Sequence, residues 1–412
     1  MAQFVDSFSQ RMLGSATLEK SIDHLVAQLR LERFQDVRTE DVLAVRWQRQ
    51  REVALLVSPE RQPLKILGLG GSIGTPPGGV TASLSIVTSF SDLDVKDVSV
   101  PDVGHSEIIL DFAFNFDFTQ VVGQSTRHGK TIDTTLDLIF VSKELSNYDV
   151  SVYDGLSDHD LVSLTCHLNV NDTSKKIPEK FVRNFERASD VQIFLQLEPG
   201  DPQQVVSRNI VVDWIGTKYP KEYILLGAHI DSWDIGQGAA DNAAAVFIIW
   251  RALSVLKKLE LKPKRTVRFV VWTAREQGME GATEFYRRHA SDSGRLSFAL
   301  ELDMAAFAPL GLALSDVKNN DTLCIVREML KEFEPIGANQ LLKGGNAAQL
   351  RHWRLAGVPV AGLVTAWFYH EEMRHSEADT VSGINAADLD SSAAMVAGLV
   401  HMVGQMERRL PR

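Results

Sequence analysis

Cysteine is nearly absent from the 412-residue chain: Cys166 and Cys324 are the two present, too few for a disulfide framework or a thiolate zinc site. Positive charge is also in deficit, with 43 Lys and Arg against 53 Asp and Glu and a formal charge of -10. The electrostatic footprint of a protein that tracks a phosphate backbone is therefore missing, and no nucleic-acid partner is expected. Uninterrupted runs of about 18 apolar residues, the length of a membrane span, are lacking too. Near the start, Asp6, Ser7, Ser9 and Gln10 interrupt the place where a secretory apolar region would lie, so neither a signal peptide nor a membrane partner is expected. The two acceptor sequons, at Asn171 and Asn320, matter only on a secretory route. What is present is ordinary: 44% hydrophobic residues, 23% charged, 28 Gly and 14 Pro, which exclude a collagenous, coiled-coil or largely disordered chain. The length suits two or three structural units with real cores.

Leu18, Ile22, Leu25, Val26 and Leu29 recur at helical spacing and predict an amphipathic helix over Gly14–Arg33. REVALLV from Arg51 and LKILGLG from Leu64 read as strands. The following GLGGSIGTPPGG looks superficially like a dinucleotide loop, but such a loop must open a helix, and Thr75-Pro76-Pro77-Gly78-Gly79 blocks one. From Tyr223 strands and helices alternate. YILLGAHI, RTVRFVVW, SFALELD and VPVAGLV read as strands, and Asn242–Leu259, Met279–His289, Leu323–Glu332 and Ala386–Arg408 as helices. This predicts an α/β fold, a mostly parallel sheet with helices on both faces. Between about Val98 and Ser174 the texture changes to Phe- and Asp-rich pieces that look foreign to the rest.

In a parallel sheet ligands sit at the carboxyl ends of the strands. Polar residues gather at those ends here: His229 and Asp231 after the first strand, Asp241 at the next helix start, Arg275 and Glu276 after the second strand, Asp303 after the third and His375 beyond the last. Singly, a strand-end Asp is a helix cap and a lone His a turn residue. Five in succession, His229, Asp241, Glu276, Asp303 and His375, are oxygen and nitrogen ligands of the kinds a zinc pair accepts. A two-metal hydrolytic site needs ions about 3.5–4 Å apart, with a carboxylate bridging them and terminal ligands on each.

GAHIDSWDIGQGAAD, KPKRTVRFVVWTAREQG, ELDMAAFAPLG and HSEADT resemble the successive motifs of the co-catalytic zinc exopeptidases of the carboxypeptidase Q type. The likeness covers about Ile177 to Arg412 and includes GSATLEKSI and ILGLGGSIGTPP further upstream. It implies His229 and Asp303 on one zinc, Glu276 and His375 on the other, and Asp241 between them. Asp231 would accept from the ring N–H of His229 and fix its tautomer. It also implies a catalytic domain over 1–60 and 200–412, a smaller β-rich lid over 61–199, small peptides or dipeptides as substrates, and a secreted or endolysosomal homodimer.

The chain departs from the family at the general base. The family motif Glu-Glu-Gln-Gly is here Arg275-Glu276-Gln277-Gly278, and a guanidinium has no acceptor lone pair, so it cannot take a proton. Loss of general-base assistance predicts a rate lower by about 10²–10⁴-fold, and the added positive charge opposes metal occupancy. The alternative is that Arg275 points away and Glu280 or Glu377 serves instead. Asn242-Ala243-Ala244-Ala245 and Glu377-Ala378 depart from the family pattern as well. Within the insert, TTLDLIFVSKELSNYDVSVYDGLSDHDLVSL resembles the carboxyl-terminal strands of a retrotransposon endonuclease, in which Asp137, Asp158 and His159 would be catalytic. The magnesium ligands that such chemistry needs upstream are missing, so a disrupted lid is expected over about 98–174 and no nuclease activity. A non-catalytic binding or receptor-like protein on the peptidase fold stands as the competing expectation.

Overall fold

The computed structural model describes residues 1–83 apart from 59, 67, 69, 70 and 73, and residues 192–412 apart from 316–318, 345–346 and 367–372. Between 84 and 191 it describes only the backbone of six short strands. The endonuclease-like residues Asp137, Asp158 and His159 lie outside the described residues.

An eight-stranded sheet consists of β1 (Asp36–Arg46), β2 (Gln203–Trp214), β3 (Tyr219–His229), β4 (Arg265–Trp272), β5 (Leu296–Glu301), β6 (Pro309–Ser315), β7 (Gln340–Lys343) and β8 (Val360–Thr365). Their spatial order is β1-β2-β4-β3-β5-β8-β6-β7. The central block is parallel, β4 with β3, β3 with β5 and β5 with β8, and β6 also pairs parallel with β7. Antiparallel pairings join β1 to β2, β2 to β4 and β6 to β8. The expected mostly parallel α/β sheet is thus present, with antiparallel additions on its flanks.

Five helices matter here: α1 (Ala16–Leu31), α2 (Ala244–Lys258), α3 (Glu280–His289), α4 (Asn320–Lys331) and α5 (Ala386–Gln405). Ser15 caps α1, its Oγ accepting the backbone N–H of Leu18 at 3.1 Å, a contact worth about 1 kcal/mol. Leu18, Ile22, Leu25 and Leu29 form the buried stripe of that helix.

The period of two along β3 divides the core. Ile224, Leu226 and Ala228 pack with residues of α1, α2 and α5, while Leu225 turns to the opposite face and packs with Trp272, Phe285 and Trp353. Helices cover both faces, so β4 is buried at every position, its apolar residues preceded by Thr266 and interrupted by Arg268, which like Arg265 is ion-paired. Gly227 of β3 lies against Trp272, where an added Cβ would run into the indole.

Three sequence expectations need correction. The helix expected from Asn242 begins at Ala244, because Asp241 (φ -113°, ψ 86°) and Asn242 (φ -142°, ψ 31°) are held in a non-helical turn. The strand expected over LKILGLG is limited to Gln62–Leu64 and does not extend to Lys65, Ile66 or Gly68; glycine offers nothing to pack there. The terminal helix stops at Gln405 rather than Arg408. The stretch Ala239–Lys258 is long and apolar enough by mean hydropathy to cross a membrane, but Asp241, Arg251, Lys257 and Lys258 interrupt it, as expected, and 78% of its apolar window is buried inside the protein, as in a core helix.

By compactness the chain divides into two units, Met1–Ala54 with Pro63–Val80 and Leu195–Arg412, and Leu55–Gln62 with Thr81–Phe194. Pro63–Val80, expected within the insert, therefore falls in the larger unit, which holds the eight-stranded sheet.

Candidate metal centre

Because β3, β4, β5 and β8 run in parallel, their carboxyl ends meet at one edge of the sheet, and the polar residues beyond those ends converge there. His229 is the last residue of β3, and Asp303 lies two positions past the end of β5. Arg275 and Glu276 come after β4, Asp241 lies in the turn that opens α2, and His375 comes after β8 with a left-handed backbone, φ 53°. For a non-glycine residue that conformation is uncommon.

The side chains form two groups around Asp241. His229 Nε2 lies 3.2 Å from Asp241 Oδ1 and 3.6 Å from Asp303 Oδ1. His375 Nε2 lies 3.2 Å from Asp241 Oδ2 and 3.3 Å from Glu276 Oε2. Asp241 thus presents one oxygen to each histidine, and the ligand atoms of each group lie within 4.8 Å of one another. His229 Nε2, both oxygens of Asp241, Glu276 Oε1, Asp303 Oδ1 and His375 Nε2 are buried atoms without a hydrogen-bond partner among the described residues. A buried polar atom left unpaired costs about 1–3 kcal/mol. Such a concentration in one place fits a cation site, and two imidazoles with three carboxylates are a donor set that suits zinc.

The electrostatics agree. Burial acts to lower the pKa of His229, but the carboxylates of Asp231, Asp241 and Asp303 outweigh it and hold the imidazole well above its usual range. His375, opposed by burial in the same way, is pushed up to about 9 by Asp241 and Glu276. Asp241 is held well below the usual carboxylate range against its burial, by His229, His375 and Arg275. Asp303 is lowered against burial chiefly by Arg275. The carboxylates therefore demand positive charge, and metal binding would replace the imidazole protons as its source.

Around these groups the main chain is fixed in detail. His229 Nδ1 lies 3.0 Å from the backbone carbonyl of Asp231 but 3.6 Å from its carboxylate, so the ring N–H donates to the carbonyl rather than to the side chain expected from the sequence. The tautomer is fixed in either case, leaving Nε2 free to ligate. The carboxylate of Asp231 instead accepts the backbone N–H of Glu276 at 2.9 Å.

Three residues to which the sequence reading gave no positioning role hold the Asp241 turn in place. Asp379 accepts the backbone N–H groups of Ala240 at 2.6 Å and Asp241 at 3.2 Å, and its signal was the acid in HSEADT. Asn242 donates from Nδ2 to the carbonyl of Leu302, tying the Asp241 turn to the segment that carries Asp303. Arg11, fully buried, donates to the carbonyls of Phe8, Ile230, Gln237 and Gly238 and so clamps the loop between His229 and Asp241. Trp233 stands edge-on to His375 with ring centroids 5.8 Å apart. It lines a cavity with Gly236, Asp241, Glu276, His375 and Asp379.

Arg275 points into the cluster. Its Nη1 donates to Glu276 Oε2 and its Nη2 to Asp303 Oδ2, each at 2.7 Å. The alternative in which it turns away is not the arrangement observed. Glu377, one of the two carboxylates considered as substitutes, has a side chain 78% exposed. Glu280, the other, is half-buried, with its carboxyl pushed up by that burial.

Residues 209–400 match Peptidase family M28. The chain is 30% identical to carboxypeptidase Q of Bos taurus over 417 residues, covering 100% of this chain and 86% of that protein. It is 31% identical to carboxypeptidase Q of Homo sapiens over 422 residues, with coverage of 100% and 86%. Since these matches span the whole chain, they run through the stretch about 98–174, and they give the endonuclease likeness there no support. Among solved structures, a peptidase M28 precursor from Shewanella amazonensis shares the fold with a TM-score of 0.71 at 23% identity, covering 100% of this chain and 93% of that one. A zinc aminopeptidase from Bacillus subtilis does so with a TM-score of 0.56 at 17% identity, covering 98% and 95%. By sequence over its whole length, the chain belongs to peptidase family M28, as a relative of carboxypeptidase Q.

Proposed function

We propose that this metallo-exopeptidase holds two zinc ions and hydrolyses dipeptides or removes C-terminal residues of peptides, at a rate depressed by Arg275. His229 and Asp303 would hold one ion, Glu276 and His375 the other, and Asp241 would bridge them. The observation that carries this reading is the set of buried, unpartnered ligand atoms grouped on the two oxygens of Asp241. When bound, zinc supplies Lewis acidity, polarising a scissile carbonyl and lowering the pKa of water.

The chain's own residues supply the rest. Asp379 and Asn242 fix the backbone on both sides of the bridging carboxylate, and the Asp231 carbonyl sets the tautomer of His229. Trp47 and Trp233 pack edge to face with centroids 6.2 Å apart, and Trp233 in turn stands edge-on to His375, supporting its ring. Arg275 contributes no proton acceptor, and general-base assistance worth about 10²–10⁴-fold is lost with it. The family resemblance carries a secreted or endolysosomal setting and a homodimer as further parts of this reading.

A second reading, a binding or receptor-like protein on the same fold, is favoured by one observation, the guanidinium at the position of the base. Incubating the zinc-loaded protein with dipeptides and short peptides, and following products by mass spectrometry, separates the two. Slow release of single terminal residues is expected, abolished by a chelator and by Asp241→Ala. No release at saturating zinc, by the native protein or by Arg275→Glu, would favour the binding protein.

A further inference from the structure

Arg275 treats the two ligand groups differently. In the His229 group, Asp303 presents Oδ1 to His229 Nε2 at 3.6 Å, and that oxygen has no hydrogen-bond partner; the guanidinium takes the other oxygen, Oδ2, at 2.7 Å. In the His375 group the overlap is direct. Glu276 Oε2, the oxygen 3.3 Å from His375 Nε2, is the same atom that accepts Arg275 Nη1 at 2.7 Å, and the unpartnered oxygen is Oε1. One group therefore keeps its inward carboxylate oxygen free, and the other has it satisfied by a resident cation.

The charges point the same way. Four carboxylates, Asp231 beside His229 together with Asp241, Glu276 and Asp303, carry the negative charge of the centre. Arg275 offsets part of it, and Arg374, with Nε 3.9 Å from Asp241 Oδ2, offsets more. A first divalent ion neutralises what remains. A second must be held against surplus positive charge in a buried place, where charge without a partner is costly.

We propose, on the basis of the two-zinc reading above, that the centre is asymmetric: zinc binds first and tightly at His229, Asp241 and Asp303, whereas at Asp241, Glu276 and His375 the Arg275 guanidinium stands in for the second ion. A second zinc enters there only by displacing Nη1 from Glu276 Oε2. Arg275 is then a regulator of metal stoichiometry as well as a missing base. The side chain is 11% exposed and paired with two carboxylates, so its displacement carries a definite cost.

The test is a zinc titration of the metal-free full-length chain, read by calorimetry and by bound-metal analysis after dialysis. One tight equivalent and a second weaker by about 10²-fold or more are expected for the native protein, given the Coulomb energy of a cation a few ångströms from the incoming ion. Arg275→Gln should narrow that gap to within about tenfold by removing the charge, and Arg275→Lys, which keeps it, should preserve the gap. Asp303→Asn should lose the tight equivalent, and Glu276→Gln should retain it. Two equivalents of similar affinity in the native protein, or a gap unchanged in Arg275→Gln, would overturn the asymmetry while leaving the two-zinc centre standing. Failure of the native protein and of Arg275→Gln alike to bind any zinc would instead overturn the two-zinc reading on which it rests.

Discussion

The carboxylate of Asp379 accepts the backbone N–H of Asp241 at 3.2 Å, so the residue proposed to bridge two ions is positioned through its main chain by an acid 138 residues away. Its second bond, from Ala240 at 2.6 Å, fixes the turn from the other side. Groups that orient ligands in this way typically contribute 10–100-fold to metal affinity. Asp379→Ala should weaken zinc binding by about that factor, measured by competition with a chelator of known affinity. Unchanged affinity would show that the Asp241 turn holds its shape unaided.

The close contact of Gly227 with Trp272 leads to a stability prediction. Gly227→Ala introduces a methyl group where the Trp272 ring already lies, in a sheet covered on both faces. Overpacking of this kind costs about 1–3 kcal/mol, and a marked fall in Tm is expected. A melting curve superimposable on that of the native protein would contradict the packing described for β3 and β4.

On α3, Glu284 pairs with Arg287 and Arg288, which lower its pKa from the usual carboxylate value to about 2. The folded-state pKa lies below the unfolded one, so the contribution of Glu284 is present above about pH 4.5 and is lost as the pH falls toward 2. The Arg287 side chain is 70% exposed, so solvent screens the pairing and its effect on stability is small. Glu284→Gln should therefore melt slightly below the native protein at pH 6, with the difference closing as the pH approaches 2. A difference that persists at the acid end would assign the effect to packing rather than charge.

The candidate metal centre was legible in the sequence because its residues sit at the ends of apolar strands. YILLGAHI, RTVRFVVW and SFALELD are buried on both faces and read without ambiguity, and the parallel order then brings the polar residues at their carboxyl ends to one edge. The flanking strands were not legible. β1, DVRTEDVLAVR, is half-exposed, and its alternation is broken by charged residues that pair with other elements, such as Arg38 with Asp213. Arg11 was invisible for a different reason: its partners are backbone carbonyls, three of the four more than 200 residues away, which leave no mark on side-chain patterning. The two roles of Asp231 were also out of reach of the sequence, since whether a carbonyl or a carboxylate faces an imidazole depends on local backbone direction alone.

This peptidase is proposed above to hold a two-zinc centre and to lack its general base. Turnover of a dipeptide by Arg275→Glu, relative to the native protein and at saturating zinc for both, tests this claim most directly. A glutamate at that position restores an acceptor beside the metal ligands, and an increase of about 10²-fold or more is predicted. Saturating zinc removes the separate effect of the charge change on occupancy. Equal turnover by the two proteins, with bound zinc verified in each, would contradict the claim and move the cause of any impairment away from residue 275.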